Sequence, residues 1–320
     1  MALRSWSGLQ SARHYDLDQN SKMANSIQPK IPLVSVVIPT RNSSGTIADC
    51  VKSEMSQSHR PIEIIVVDNY STDSTVEIAK RNGALVMLRA GGRSAQKNWG
   101  AKFAKGEYLY FVDSDLILGP DVISRCLAAI KGADGVLVST LDVNRGSRAA
   151  QLIASRKRIL SYDPLNVAVR FVRKDVFDRL GGFDPDIYIG MDTDFHRRFL
   201  LEGFRVRDSS ATEWHLGSPL TVRGWLKRNL YYAPSLFKSS SKHPLYSLSR
   251  INPLHTVSAW KKSDARSSDL ILVVFLGFLS NISLALAALL IHRSREVPVG
   301  PAHGSRRIDS VNDGELKEGT

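Results

Sequence analysis

From Val34 onward the chain repeats one unit: a short apolar run, a polar cluster, then a stretch long enough for a helix. The apolar runs are Val34–Ile38, Ile62–Val67, Ala84–Leu88 and Tyr108–Val112. The helical stretches are Ser44–Gln57, Ser74–Arg81, Ser94–Ala104 and Asp121–Ile130, with Asp73 or Ser74 placed to cap the second. Strands that are apolar on both faces and alternate with helices predict an α/β domain, with a mostly parallel sheet covered by helices on both sides. In such sheets ligands gather beyond the carboxyl ends of the strands. Thr40-Arg41-Asn42, Asp68-Asn69 and Asp113-Ser114-Asp115 all follow strands, so the pattern alone brings them to one edge.

The second half is less regular. Val167–Val172 and Phe204–Val206 read as strands, Gly181-Gly182-Phe183-Asp184-Pro185 as a loop and Asp192–Glu202 as a helix. Val222, Trp225, Leu226, Leu230, Ala233 and Phe237 recur at helical spacing, with Arg223, Lys227, Arg228 and Lys238 between them. That is a basic amphipathic helix, suited either to packing on the domain or to a membrane surface. Leu270–Ile291 carries no charge and is long enough for a bilayer core of about 30 Å, so one C-terminal transmembrane helix is expected. Residues 1–31 and 293–320 are polar and aperiodic and read as disordered; the first of these lacks the apolar core of a signal peptide. The expected organisation is a folded domain over 32–220, a basic membrane-proximal segment over 221–265 and the span over 268–292.

The net charge of +12 calls for an anionic partner. Lys and Arg crowd Arg145–Arg158 and Arg223–Lys242. No zinc-finger spacing, helix-turn-helix or RNA-recognition aromatics accompany them, which argues against nucleic acid and for a membrane surface. Cys50 and Cys126 lie far apart and fit neither a disulfide framework nor a metal site.

Two carboxylates flanking a small residue straight after a strand, as in Asp113-Ser114-Asp115, suit Mn2+ or Mg2+, which take carboxylates together with substrate phosphates. Alone, the tripeptide reads better as an Asp-rich turn that caps a strand end. Its surroundings decide. Val36-Val37-Ile38-Pro39-Thr40-Arg41-Asn42, Ile65-Val66-Val67-Asp68-Asn69-Tyr70-Ser71-Thr72-Asp73, Arg93-Ser94-Ala95-Gln96-Lys97-Asn98-Trp99-Gly100, Gly106 to Asp115 and Gly181-Gly182-Phe183-Asp184 to Asp194 occur in order and at sensible spacing. In these five blocks the chain resembles the inverting GT-A glycosyltransferases of the family 2 type, which include dolichyl-phosphate sugar synthases and polysaccharide transferases.

The resemblance implies a GT-A fold with a Rossmann-like sheet and a role for each matched residue. Pro39, Thr40 and Arg41 would line a nucleotide pocket, and Asp68 would bind base or ribose. Arg93 and Lys97 would approach the diphosphate or base, with Lys97 standing where many relatives carry Arg. Asp113 would touch ribose or metal beside Ser114, Asp115 would ligate the metal, and His215 would add a further ligand. Asp192 matches the second residue of the family's Glu-Asp pair, the general base; the Glu is replaced here by Met191, and Asp194 is an alternative base or a helix cap. Tyr231 and Tyr232, on the basic helix, would sit near a lipid phosphate.

The implied reaction is inverting, metal-dependent transfer of a sugar from a nucleoside-diphosphate sugar to a lipid-linked or polysaccharide acceptor. A polyprenyl-phosphate sugar synthase is one alternative; a non-catalytic nucleotide-sugar-binding or scaffold protein at the membrane is another. The expected location is the cell membrane, single-pass, with the catalytic domain facing the cytoplasm, where nucleotide sugars are made.

Overall fold

A computed structural model of the chain describes residues 31–143, 148–163, 166–187, 190–216 and 253–263, with isolated residues and short runs elsewhere between 221 and 282. The first half follows the expected rhythm. β1 (Val34–Thr40), β2 (Ile62–Asp68), β3 (Leu85–Leu88) and β4 (Tyr108–Phe111) pair in parallel, in the order β3-β2-β1-β4. The intervening helices are α1 (Ile47–Met55), α2 (Thr75–Arg81) and α3 (Arg93–Phe103). β1 is buried along its whole length, as an unbroken apolar run requires.

The second half departs from the parallel expectation. β5 (Leu116–Leu118), β6 (Gly135–Asp142), β7 (Val169–Arg173) and β8 (Val206–His215) extend the sheet to the order β3-β2-β1-β4-β7-β6-β8-β5. β7 runs antiparallel to both β4 and β6, and β5 antiparallel to β8, while β6 and β8 are parallel. The sheet is therefore mixed. Phe204–Val206 is not a short strand in its own right; the strand begins at Val206 and continues to His215. α4 (Val122–Ile130), α5 (Arg148–Leu160), α6 (Lys174–Arg179), α7 (Met191–Leu201) and α8 (Pro253–Lys262) complete the described elements.

Two cores lie on opposite faces of the sheet. One joins Val36, Ile38, Ile47, Val66, Tyr110 and Phe171 with α1 and α4. The other joins Val37, Ile65 and Val67 to an aromatic cluster of Phe111, Phe177, Phe183, Phe195 and Phe199, whose neighbouring rings lie 4.9–6.2 Å apart. α3 reaches this face by close approach: a Cβ at Gly100 would stand 2.4 Å from a Val37 methyl.

The C-terminal helices attach to α5. Ile159 is buried with Ala259 and Val273, and Ile153 with Leu276. Among the described residues no helix is long and apolar enough to cross a membrane. The expected span is described only at 270–271, 273–279 and 282; its remainder, residues 1–30, most of the basic helix with Tyr231 and Tyr232, and the tail lie outside the described residues.

Candidate active site

The ends of β1 and β2 are in register at Thr40 and Asp68, both buried. Thr40 Oγ1 donates to Asp68 Oδ2 at 2.8 Å, and the Ser71 amide donates to Asp68 Oδ1 at 2.7 Å. Gln96, on α3, clamps the two strand ends: its Nε2 donates to the carbonyls of Thr40 (2.9 Å) and Val67 (2.7 Å). Asn42, at a positive φ of 51°, accepts from the Thr72 amide at 2.9 Å and so stitches the two following loops. Pro39 is buried in β1, and Arg41 stands exposed beyond it.

Across the strand edge, Asp113 meets the start of α3. Its carboxylate lies 3.3 Å from Lys97 Nζ and 3.6 Å from Arg93 Nη1. Lys97 is 0% exposed, which a lysine tolerates only when paired. Burial alone would raise the Asp113 carboxyl pKa; Lys97, Arg93 and Arg170 outweigh that and hold it far below the usual carboxylate range. Ser114 Oγ lies 2.9 Å from Ser43 Oγ, tying the Asp113-Ser114-Asp115 turn to the loop after β1.

Asp115 and His215 come together because β5 pairs with β8, with Leu116 opposite His215. His215 Nε2 lies 3.1 Å from Asp115 Oδ2, and Nδ1 lies 3.1 Å from Asp142 Oδ1. Asp142 also receives Lys157 Nζ at 2.7 Å. Burial would lower the His215 pKa, but the Asp115 and Asp142 carboxylates overcome it and raise it.

This donor set fits a divalent cation. Two ligands each about 2.1 Å from one ion and at right angles to it stand about 3 Å apart, the spacing of the Asp115 oxygen and His215 Nε2. A carboxylate on the far ring nitrogen, as Asp142 provides, is the usual support for a ligating histidine. Among the described residues no three His, Cys, Asp or Glu side chains are grouped so as to hold a metal ion, and Asp113 faces Arg93 and Lys97 instead. With only these two groups, substrate phosphate oxygens would have to supply further ligands.

Asp192 joins from the first turn of α7. Lys97 Nζ lies 3.3 Å from its Oδ1, so one buried ammonium links Asp113 to Asp192. Met191 explains its own departure from the family pattern: it is 1% exposed and packs into the aromatic core, where a carboxylate would be costly. Asp194 is buried and accepts from Arg198 Nε at 3.0 Å, while Arg198 also donates to the carbonyls of Leu180 and Gly182. It is thereby committed to the Gly181-Gly182 turn. Asn98 fixes that turn from α3, accepting from the Phe183 amide at 2.9 Å and donating to its carbonyl at 2.7 Å.

On the far side of Asp113 from Thr40 and Asp68, a cavity of about 510 Å3 opens between the sheet and α5. Asp113, Asp142, Asp192, His215, Lys157 and Arg170 are among the groups that line it. Arg170, on β7, donates from Nε to the Phe111 carbonyl at 3.2 Å and from Nη1 to Thr140 Oγ1 at 3.2 Å and to Glu213 Oε1. Glu213 is 0% exposed and also accepts from Tyr110 at 2.8 Å. Beneath this layer Glu54 is fully buried; desolvation, then the Glu213 charge, push its pKa well up, with Arg170 opposing.

Thr40, Asp68, Arg93, Lys97, Asp113, Ser114, Asp115, Asp192 and His215 thus lie together around the strand ends, the edge that the sequence pattern gives to the Thr40, Asp68 and Asp113 clusters. Gln96, Asn98, Asp142, Arg170 and Glu213 carry equal structural weight and were not foreseen. Gln96 and Asn98 sit inside a recognised block; the other three are brought in by pairings in the second half.

The family model described as Glycosyl transferase family 2 matches residues 35–180, and that described as Glycosyl transferase family group 2 matches residues 108–293, more than half of the chain. The glycosyltransferase GlyG of Streptococcus pneumoniae serotype 4 is 35% identical over 113 residues, covering 33% of this chain and 38% of that protein. The poly(ribitol-phosphate) beta-glucosyltransferase of Bacillus spizizenii is 39% identical over 102 residues, 29% of this chain and 16% of that protein. The match thus spans well under half the length of either relative. Among solved structures, the mannosyltransferase PcManGT from Pyrobaculum calidifontis, in complex with GDP-Man and Mn2+, aligns with a TM-score of 0.50 at 16% identity, over 91% of this chain and 85% of that one. At that identity the likeness bears on the fold alone.

Proposed function

The chain belongs to the family 2 glycosyltransferases, and from that premise we propose that it transfers a sugar, with inversion, from a nucleoside-diphosphate sugar to a lipid-linked or polysaccharide acceptor. The observation that carries this reading is the single edge at which Asp68, Arg93, Lys97, Asp113, Asp115 and His215 meet. Thr40 and Asp68 receive the nucleoside, with Pro39 and Arg41 beside them. Arg93 and Lys97, both paired with Asp113, offer two cations to the diphosphate.

Asp115 and His215 would hold Mn2+ or Mg2+, which would offset the charge that builds on the departing nucleoside diphosphate. Asp192 accepts the proton of the attacking hydroxyl, and Lys97 keeps that carboxylate beside the donor half of the site. Met191 takes no part, since its side chain belongs to the core. If the acceptor is instead a polyprenyl phosphate, its oxygen is already anionic and Asp192 matters less.

Membrane attachment is part of the proposal. It is supported by the uncharged run Leu270–Ile291 and by Ile271, Phe275 and Phe278, which are 75%, 55% and 62% exposed. The catalytic domain faces the cytoplasm on this reading; in sealed vesicles with that topology, added protease should cut the catalytic domain and spare the C-terminal tail. The donor is tested by melting the protein with a panel of nucleotide sugars, with and without Mn2+. The true donor should stabilise the fold by mass action, and stabilisation by none would oppose the proposal.

A further inference from the structure

The positive charge of the chain is unevenly spread in sequence, and the fold gathers it. Residues 143–162 and 214–263 hold thirteen of the 43 lysines and arginines and none of the 31 acidic residues. The excess charge of +12 therefore resides in two stretches that lie more than fifty positions apart. α5 is the body of the first, and α8 closes the second. The two helices pack together: Ile159 of α5 is buried with Ala259 of α8, and His255 Nδ1 of α8 lies 3.9 Å from Asp163, just past α5.

Helical spacing sorts the residues of α8. Ala259 and Trp260 turn toward α5, while Leu254, Ser258, Lys261 and Lys262, at i, i+4, i+7 and i+8, share an exposed face. Arg158 on α5 and Arg266 just beyond α8 are exposed as well. The apolar run that follows is sorted in the same way. Val273 and Leu276 are buried against Ile159 and Ile153 of α5. Ile271, Phe275, Phe278 and Ile282, at i, i+4, i+7 and i+11, turn outward and are exposed. α5 thus supports both a cationic helix face and an uncovered apolar stripe. Such a pair suits the head-group layer of a bilayer, where basic side chains meet phosphates and apolar ones meet acyl chains. A second copy of this chain would cover the stripe but set like charges face to face.

We infer that α5, α8 and the first turns of the apolar run form one surface that lies on a bilayer of anionic phospholipid, with its cations on the phosphates and its stripe on the acyl chains. The inference rests on the membrane attachment proposed above. It goes beyond that reading in naming the lipid class and in fixing which side of the catalytic domain faces the bilayer.

The test uses the full chain reconstituted into vesicles of phosphatidylcholine alone, or of phosphatidylcholine mixed with phosphatidylglycerol. Lysines are acetylated briefly, and the extent at each is read by mass spectrometry. Lys261 and Lys262 should label about 5-fold more slowly, or slower still, on the mixed vesicles, the worth of one basic side chain held near an anionic surface. High salt should erase the difference. Lys80, exposed on α2, should label equally on both. Arg158→Gln together with Arg266→Gln should pull the ratio at Lys261 and Lys262 toward one, with the melting temperature unchanged. Equal labelling of Lys261 and Lys262 on the two vesicle types, or an undiminished ratio in the double variant, would overturn the inference. So would protection on both vesicle types that fades as the protein is diluted in lipid, the mark of a second copy on this face. Failure of the chain to cosediment with either vesicle type would instead sink the membrane attachment on which the inference rests.

Discussion

The two halves of the sheet achieve the same end by different means. Around β1, β2 and β4, each functional group sits at the end of its own strand, and parallel pairing lines the groups up: Thr40 opposite Asp68, with Asp113 two residues beyond β4. Around β6, β7 and β8, the groups are assembled from distant parts of the chain by antiparallel and crossed pairings. His215 meets Asp115 across one strand pair and Asp142 across another. Arg170 meets Glu213 from 43 positions away in sequence. Charge is handled differently as well. The first half gathers its cations, partly exposed Arg93 and buried Lys97, around the one carboxylate of Asp113 at the strand-end edge. The second half locks them into buried pairs that fix the cavity wall.

The largest effect should come where the halves join. Asp192 belongs to α7 but is tied through Lys97 to the donor side. Asp192→Asn should reduce turnover on a hydroxyl acceptor by about 10²–10⁴-fold with little change in nucleotide affinity, measured by steady-state kinetics beside calorimetry. A near-normal rate would move the chemistry to a phosphate acceptor and take Asp192 out of the comparison.

The buried pair of the second half comes next. Glu213→Ala strands the Arg170 charge, and breaking such a pair costs about 3–5 kcal/mol, which urea unfolding would read directly. A loss below about 1 kcal/mol, typical of an exposed pair, would show that this half is not held by buried charge.

A smaller, pH-dependent effect concerns Glu54. Its folded pKa is raised, so the folded chain retains a proton that the unfolded chain releases. Stability from this group is full below the ordinary value of 4.5 and is lost as pH rises above it. Glu54→Gln should therefore be more stable than wild type at neutral pH. The gap should widen from about pH 5 by at most about 1.4 kcal/mol per pH unit and level off above the folded pKa. Parallel stability curves for the two proteins would show that Glu54 ionises freely in the fold.

The same contrast governs what could be read from the sequence. β1 to β4 are continuous apolar runs followed by polar clusters, so both their existence and the edge they share were legible. β8 was not: Val206-Arg207-Asp208-Ser209-Ser210-Ala211-Thr212-Glu213-Trp214-His215 is mostly polar and reads as strand only once β6 and β5 flank it. α5 was hidden among its own cations, because the apolar partners of Ile153 and Ile159 come from residues a hundred or more positions later. Asp142, Arg170 and Glu213 owe their roles to cross-strand register, which no local pattern encodes. Met191 was visible as a departure from the family pattern, but only its burial among aromatic rings explains it.

The central claim is that the strand-end edge binds a nucleoside diphosphate together with a divalent cation. The most direct measurement is calorimetric titration of the full chain with UDP, GDP and dTDP, each with and without Mn2+, repeated for Asp115→Ala. The account predicts that one nucleotide binds, that Mn2+ strengthens it, and that Asp115→Ala removes the Mn2+ effect while the chain melts as wild type does. Binding that is indifferent to Mn2+ in wild type, or equally Mn2+-dependent in Asp115→Ala, would contradict it.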